Sequence, residues 1–245
     1  MGWILFGALV ILAIVFSAVS LAAEQKRKKL LCSVAGSLGL GWFPNGLGGS
    51  EQSDFAPSWF PTANEADAVF LARFDGFSVF KRAGTVTVSE LMIGRRGVRD
   101  WYCFRCTWTE KSGRNKKQVS YSVVAVRCAL LFKHLMIQPH TWIDSLGVHA
   151  IKFESAEFND RYLVQSDDLK FAYDLLHPEA MELLLKWKLK HLEFFGCYFM
   201  TFAPNFAPNE VYEAVLDMEA FLETIPEYLV QDIGFQAYWP SPYDP

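Results

Sequence analysis

The chain has 245 residues, 51% of them hydrophobic and 16% aromatic, with a formal net charge of −4. That is ample apolar material for a sizeable core, and the acidic balance argues against nucleic acid as a partner, because phosphate contacts need a basic stripe. The five cysteines (Cys32, Cys103, Cys106, Cys128 and Cys197) are an odd set without framework spacing, which fits a reducing compartment better than a disulfide scaffold.

Residues 1–23 carry no charged side chain, and Lys26, Arg27, Lys28 and Lys29 follow closely. A helix rises about 1.5 Å per residue, so roughly 20 apolar residues cross a hydrocarbon core about 30 Å thick. Residues 1–23 therefore read as a transmembrane anchor. A cleaved secretory signal is the rival reading, but signals open on a basic region and have an apolar core of only about 7–15 residues. With basic residues on its C-terminal side alone, the span predicts a single-pass cell-membrane protein with the N-terminus out and the C-terminal domain cytoplasmic. Lys26, Arg27, Lys28 and Lys29 are expected to meet anionic headgroups, each worth about 1 kcal/mol near the surface. Past Lys29 the balance is −7, and beyond Lys190 there are nine acidic residues and no Lys or Arg. The soluble part is therefore expected to stand off anionic lipid.

Residues 24–55 read as a basic flank and a glycine-rich spacer, with six glycines and Pro44 between Gly36 and Gly49. Residues 56–233 form the expected soluble domain. Asn64 is placed to cap a short helix reaching Phe74. The period then switches to two: Phe77–Arg82, Gly84–Ile93, Val98–Thr109, Gln118–Leu130 and Leu135–Gln138 read as strands, with Ser112-Gly113-Arg114-Asn115 as a hairpin connection. Ala150–Glu154 and Arg161–Val164 read as further strands. Ser166 is expected to cap a helix bearing Phe171, Ala172, Leu175 and Leu176, and His177-Pro178 to restart the chain into a second. Leu192–Phe202 reads as an apolar strand and Asn209 as the cap of a last helix, stopped by Pro226. Residues 234–245 read as an irregular tail. Short turns between strands imply antiparallel pairing. The fold class expected is α+β: an antiparallel sheet that could curl toward a barrel, three or four packed helices, and one N-terminal transmembrane helix.

Few side chains carry recognisable chemistry. Cys103 and Cys106 form a lone CxxC without the second pair a zinc site needs. Strand alternation puts Tyr102, Phe104, Cys106 and Trp108 on one face and Trp101, Cys103, Arg105 and Thr107 on the other, so the two thiols diverge. His134, His140, His149, His177 and His191 fall in no metal or nucleophile motif. Glu154, Glu157, Asp160, Asp167 and Asp168 lack calcium-loop spacing and read as solvated or helix-capping acids. Lys186, Lys188 and Lys190 alternate with Trp187 and Leu189, as in an edge strand blunted by lysine or a linker.

Residues 153–185 read FESAEFNDRYLVQSDDLKFAYDLLHPEAMELLL. Phe153, Ser155, Phe158, Asn159, Tyr162, Val164, Ser166, Asp168, Ala172, Leu176, Pro178, Met181 and Glu182 resemble the shared segment of a bacterial family of N-terminally membrane-anchored proteins of unknown function. The resemblance spans roughly residues 70–230 and implies no activity. Physically its residues read as architecture: Phe153, Phe158 and Tyr162 as core aromatics, Asn159 as a turn residue, Ser166 and Asp168 as caps. The function expected is a non-enzymatic interaction or scaffold module at the cytoplasmic membrane face. Its partners are the lipid bilayer and a protein the sequence does not identify; no cofactor, metal or nucleic acid is expected. The alternative is a membrane-tethered hydrolase or small-ligand-binding domain using carboxylates and His177. A deep pocket gathering Asp160, Asp168 and His177 would favour it.

Overall fold

The computed structural model describes residues 2–46, 70–81, 85–112, 115–140, 150–187 and 191–234; the side chains of residues 2–11, 13, 111, 112 and 115 lie outside that description. The expected helix start at Asn64, the tail after Gly234, His149, and Lys188 and Lys190 also fall outside it. The chain runs as α1 (Gly2–Leu38), β1 (Gly41–Phe43), a 3₁₀ turn (Ala72–Phe74), β2 (Thr87–Arg96), β3 (Arg99–Ser112) and β4 (Asn115–Pro139). It continues with α2 (Ala156–Arg161), β5 (Tyr162–Ser166), α3 (Leu169–Leu175), α4 (Pro178–Lys186), β6 (His191–Ala203), α5 (Pro208–Glu223) and α6 (Glu227–Ile233).

All six strands join one antiparallel sheet, in the order β1-β2-β3-β4-β5 with β6 also on β4. The sheet does not close, so the barrel reading is corrected to an open sheet. Closure would need an edge long enough to meet β6, and β1 has only three residues, all paired to β2. At the β2–β3 hairpin Arg96 pairs with Arg99, and Gly97 takes φ +60°, the left-handed start that a two-residue primed turn demands.

The sheet is buried on both faces, and the alternation in β3 decides which residue goes where. Trp101 and Cys103 join a core with Val124, Val126 and the helices α1, α3, α4, α5 and α6. Tyr102, Phe104, Cys106 and Trp108 join a second core with Val123, Ala125, Phe70, Phe74 and Phe77. That second core is rich in edge-to-face rings, for example Phe70–Phe104 at 5.2 Å and Phe74–Tyr198 at 5.1 Å, geometries that add to plain area burial.

The structure departs from the sequence reading in several places. Phe77–Lys81 is a turn packed on the sheet. The two strands expected over 118–138 are one, β4, whose register slips between Arg127 and Phe132 and again before Leu135. Bulges of this kind exchange the faces and so break the alternation a sequence can display. Ala150–Glu154 contributes only an isolated bridge, Ile151 to Val164. The helix expected to stop at Pro226 ends at Glu223 but is not the last: Pro226 stands at the N-cap of the short α6.

The largest departure is at the N-terminus. The basic flank and the start of the supposed spacer are helix: α1 runs unbroken to Leu38. Leu31, Ala35 and Leu38 are buried in the first core. Gly94 makes room for the following turn; a Cβ there would lie 2.7 Å from Leu40 Cδ2. Toward the other end of α1, Leu12, Ile14, Val15, Phe16, Val19 and Leu21 are exposed. Among the described residues no helix is long and apolar enough to cross a membrane. About half of the anchor expected over 1–23, residues 1–11 and 13, falls on side chains outside the description.

Candidate functional site

The most concentrated polar chemistry lies where α1 crosses the sheet. Glu90 interrupts the apolar run of β2 at a register slip between Ser89 and Met92 and holds φ at +52°. Its N–H donates to Pro44 O at 3.1 Å. This left-handed conformation is rare outside glycine and costs on the order of 1–3 kcal/mol. It turns the carboxylate, only 7% exposed, toward α1. Arg27 there donates from Nε to both Glu90 oxygens (3.0 and 3.2 Å), from Nη2 to Oε2 (3.0 Å) and from Nη1 to Phe206 O (2.7 Å). Arg105, from β3, adds Nε to Glu90 Oε2 at 3.0 Å and Nη2 to Asn205 Oδ1 at 3.1 Å. One carboxylate thus ties α1, β2, β3 and the β6–α5 loop together. Bidentate guanidinium pairs of this geometry are the strong, direction-setting kind.

Arg27 is therefore corrected as a lipid-facing residue: it faces the sheet. Lys28 pairs with Glu24 at 3.2 Å, one turn away, and Lys26 and Lys29 are exposed.

A second buried carboxylate, Glu193 of β6, is fully enclosed. It accepts Ser78 N–H at 3.0 Å, Ser78 Oγ at 2.6 Å and His134 Nε2 at 2.8 Å. The carboxylate lies between serine and histidine, so His134 is not aimed at the hydroxyl as a general base must be. The group fastens the Phe77–Lys81 turn to the sheet.

The motif residues are architectural in geometry. Asn159 accepts Phe153 N–H at 2.9 Å and donates to Phe153 O at 2.7 Å, replacing a strand partner for that residue. Ser155 caps α2 through Phe158 N–H. Phe158 is enclosed, 5.5 Å from the Phe153 ring and 4.9 Å from the Tyr162 ring. Tyr162 donates to Leu184 O at 2.8 Å, and burial pushes its phenol up to about 12. Asp168 is the α3 cap, accepting Phe171 N–H at 2.9 Å. Ser166, expected in that role, instead donates to His134 O at 2.7 Å. Pro178 opens α4, Met181 is buried and Glu182 is exposed. Asn209 is likewise not a cap: α5 starts at Pro208, and Glu210 accepts the Ala207 N–H at 2.7 Å.

Asp160, Asp168 and His177 are not brought together. Asp160 is exposed, Asp168 is occupied with its helix, and His177 Nε2 donates to Thr224 O at 2.8 Å. His177 lines an open groove of about 590 Å³ with Phe153, Glu154, Tyr173 and Met181, so one expected carboxylate borders it while neither aspartate does. A second groove, of about 360 Å³, lies between α4, α5 and β6 over Trp187, Leu192, Thr201 and Met218. Among the described residues no group of three or more His, Cys, Asp or Glu side chains could hold a metal ion. Cys103 and Cys106 lie in opposite cores, and burial pushes each thiol up to about 12.

Sequence reasoning missed Glu90, Arg105 and Glu193. A signal existed: each acid stands alone inside an apolar strand, where an unpaired charge is too costly to keep.

No family model matches the chain, and no curated protein does. The crystal structure of the mycobacterial trehalose monomycolate transport factor A, TtfA, is similar over 83% of this chain and 96% of that one, at 13% sequence identity and a TM-score of 0.49. A likeness that distant carries no argument about function.

Proposed function

We propose that the chain is a single-pass membrane protein whose cytoplasmic α+β domain is a non-enzymatic interaction module built onto its own anchor helix. The observation that carries this reading is the continuity of α1. One end is embedded in the core and clamped by Glu90, while Leu12 and Phe16 at the other are 69% and 72% exposed. Contiguous apolar surface of that kind marks a contact with lipid or protein, and residues 1–23 carry no charge to oppose burial in hydrocarbon. Lys26, Lys28 and Lys29 follow directly, which supports a cytoplasmic domain. The resemblance of residues 153–185 to a membrane-anchored family is in keeping with this reading. The capped Asp168, the exposed Asp160 and the backbone-bound His177 favour a module over a hydrolase.

A reporter fused after Pro245 tests the topology. It should be active only in the cytoplasm, and the protein should stay with membranes through alkaline carbonate washing. Periplasmic reporter activity would overturn the orientation, and release by carbonate would overturn the anchor.

A further inference from the structure

The β3–β4 ribbon outruns the rest of the sheet. β2 leaves β3 at Thr107 and β6 leaves β4 at Ser122, so beyond those residues the two strands pair only with each other. The five residues after Thr107, at about 3.3 Å each, carry the ribbon about 17 Å past the sheet. Trp108 stacks on Tyr121 at its base, rings 5.5 Å apart. Farther out, Glu110 is in register with Lys117 and Lys111 with Lys116, and Lys116 and Lys117 are exposed. By sequence the segment from Glu110 to Lys117 carries Lys111, Arg114, Lys116 and Lys117 against Glu110 alone, and is positive on a chain whose balance past Lys29 is −7. Such a charge pattern answers to something outside the fold.

The direction of α1 says what that is. Arg96 Nη1 donates to Leu38 O at 2.8 Å, and Arg27 meets Glu90 beside Arg105. Along β3, Arg99 lies opposite Arg96 and Arg105 opposite Ser89. Travelling up α1 from Leu38 to Arg27 is thus travelling along β3 from Arg99 toward Ser112. The exposed apolar end of α1 and the basic end of the ribbon leave the domain on the same side.

We infer that the ribbon end is a second membrane contact, in which the exposed Lys116 and Lys117 engage anionic lipid headgroups beside α1. The inference rests on the anchor reading above. Lipid fits better than nucleic acid, because a duplex or strand would also meet the acidic remainder of the domain.

The full chain is reconstituted in two bilayers, one of phosphatidylcholine alone and one with about a third phosphatidylglycerol, and trypsin cleavage between Lys111 and Lys117 is timed. Cleavage should be slower by about fivefold in the anionic bilayer, the discrimination that one lysine at a charged surface supplies. High salt, which shortens the screening length to a few Å, should remove the difference. In K116Q/K117Q the ratio between the two bilayers should fall toward one while flotation with both persists. A wild-type ratio of one, a ratio unchanged in the double variant, or protection in the neutral bilayer by added oligonucleotide would overturn the inference. Failure to float with either bilayer would instead overturn the anchor, and the ribbon contact with it.

Discussion

Glu90 keeps a backbone conformation that nearly every other non-glycine residue avoids, and two arginines make that conformation worthwhile. Its carboxylate is 7% exposed, while Arg27 and Arg105 are 18% and 26% exposed. Removing the acid leaves two partly buried guanidinium groups facing each other, the situation in which breaking a buried pair costs about 3–5 kcal/mol. Glu90→Ala should therefore destabilise the protein by about 3 kcal/mol, at the low end because both arginines keep a path to water. The denaturant midpoint of the full chain in micelles measures it. Adding Arg27→Ala to Glu90→Ala should cost less than the sum of the two single changes, since both remove one interaction. A Glu90→Ala loss below about 0.5 kcal/mol, the level of an ordinary surface substitution, would show that the clamp is ornamental.

At the scale of the element, β3 decides the interior. Its alternation sends Cys103 and Cys106 into separate cores, each thiol pushed up to about 12 by burial, and Cys128 on β4 shares that environment and value. The folded state therefore holds these protons where the unfolded chain, titrating near the ordinary 9.0, gives them up. The stability they leave intact below pH 9 is lost as pH climbs from there toward about 12. Melting curves should fall across that interval, and at pH 8 an alkylating reagent should modify exposed Cys32 well before the three buried thiols. Equal reactivity of all four would refute the two-core arrangement. This alternation was legible in the residues themselves, and so was the hairpin connection that puts Ser112 opposite Asn115. The β4 bulges were not, because a slip of register erases the pattern by which a strand is recognised. The caps shifted for a related reason: Ser166 and Asp168 both suit a helix start, and the bond from Ser166 to His134 O is long-range.

At the scale of the whole molecule, residues 24–38 depart from the spacer reading, while its stretch over 47–55 lies outside the described residues. Glycine content between Gly36 and Gly49 suggested a loose tether, yet Leu31, Ala35 and Leu38 already show helical spacing, and each is buried. Composition masked a periodicity that was present. Glu90 and Glu193 stayed hidden because their partners come from strands and helices far along the chain, a pairing that no local pattern contains. The outcome is a domain with no slack between itself and α1, and hydrogen exchange along α1 of the full chain tests that most directly. Amides over 24–38 should exchange as slowly as those of β3, continuous with protection toward the N-terminus. Rapid exchange over 24–38 beside a protected β3 would restore a flexible tether and contradict the built-in helix.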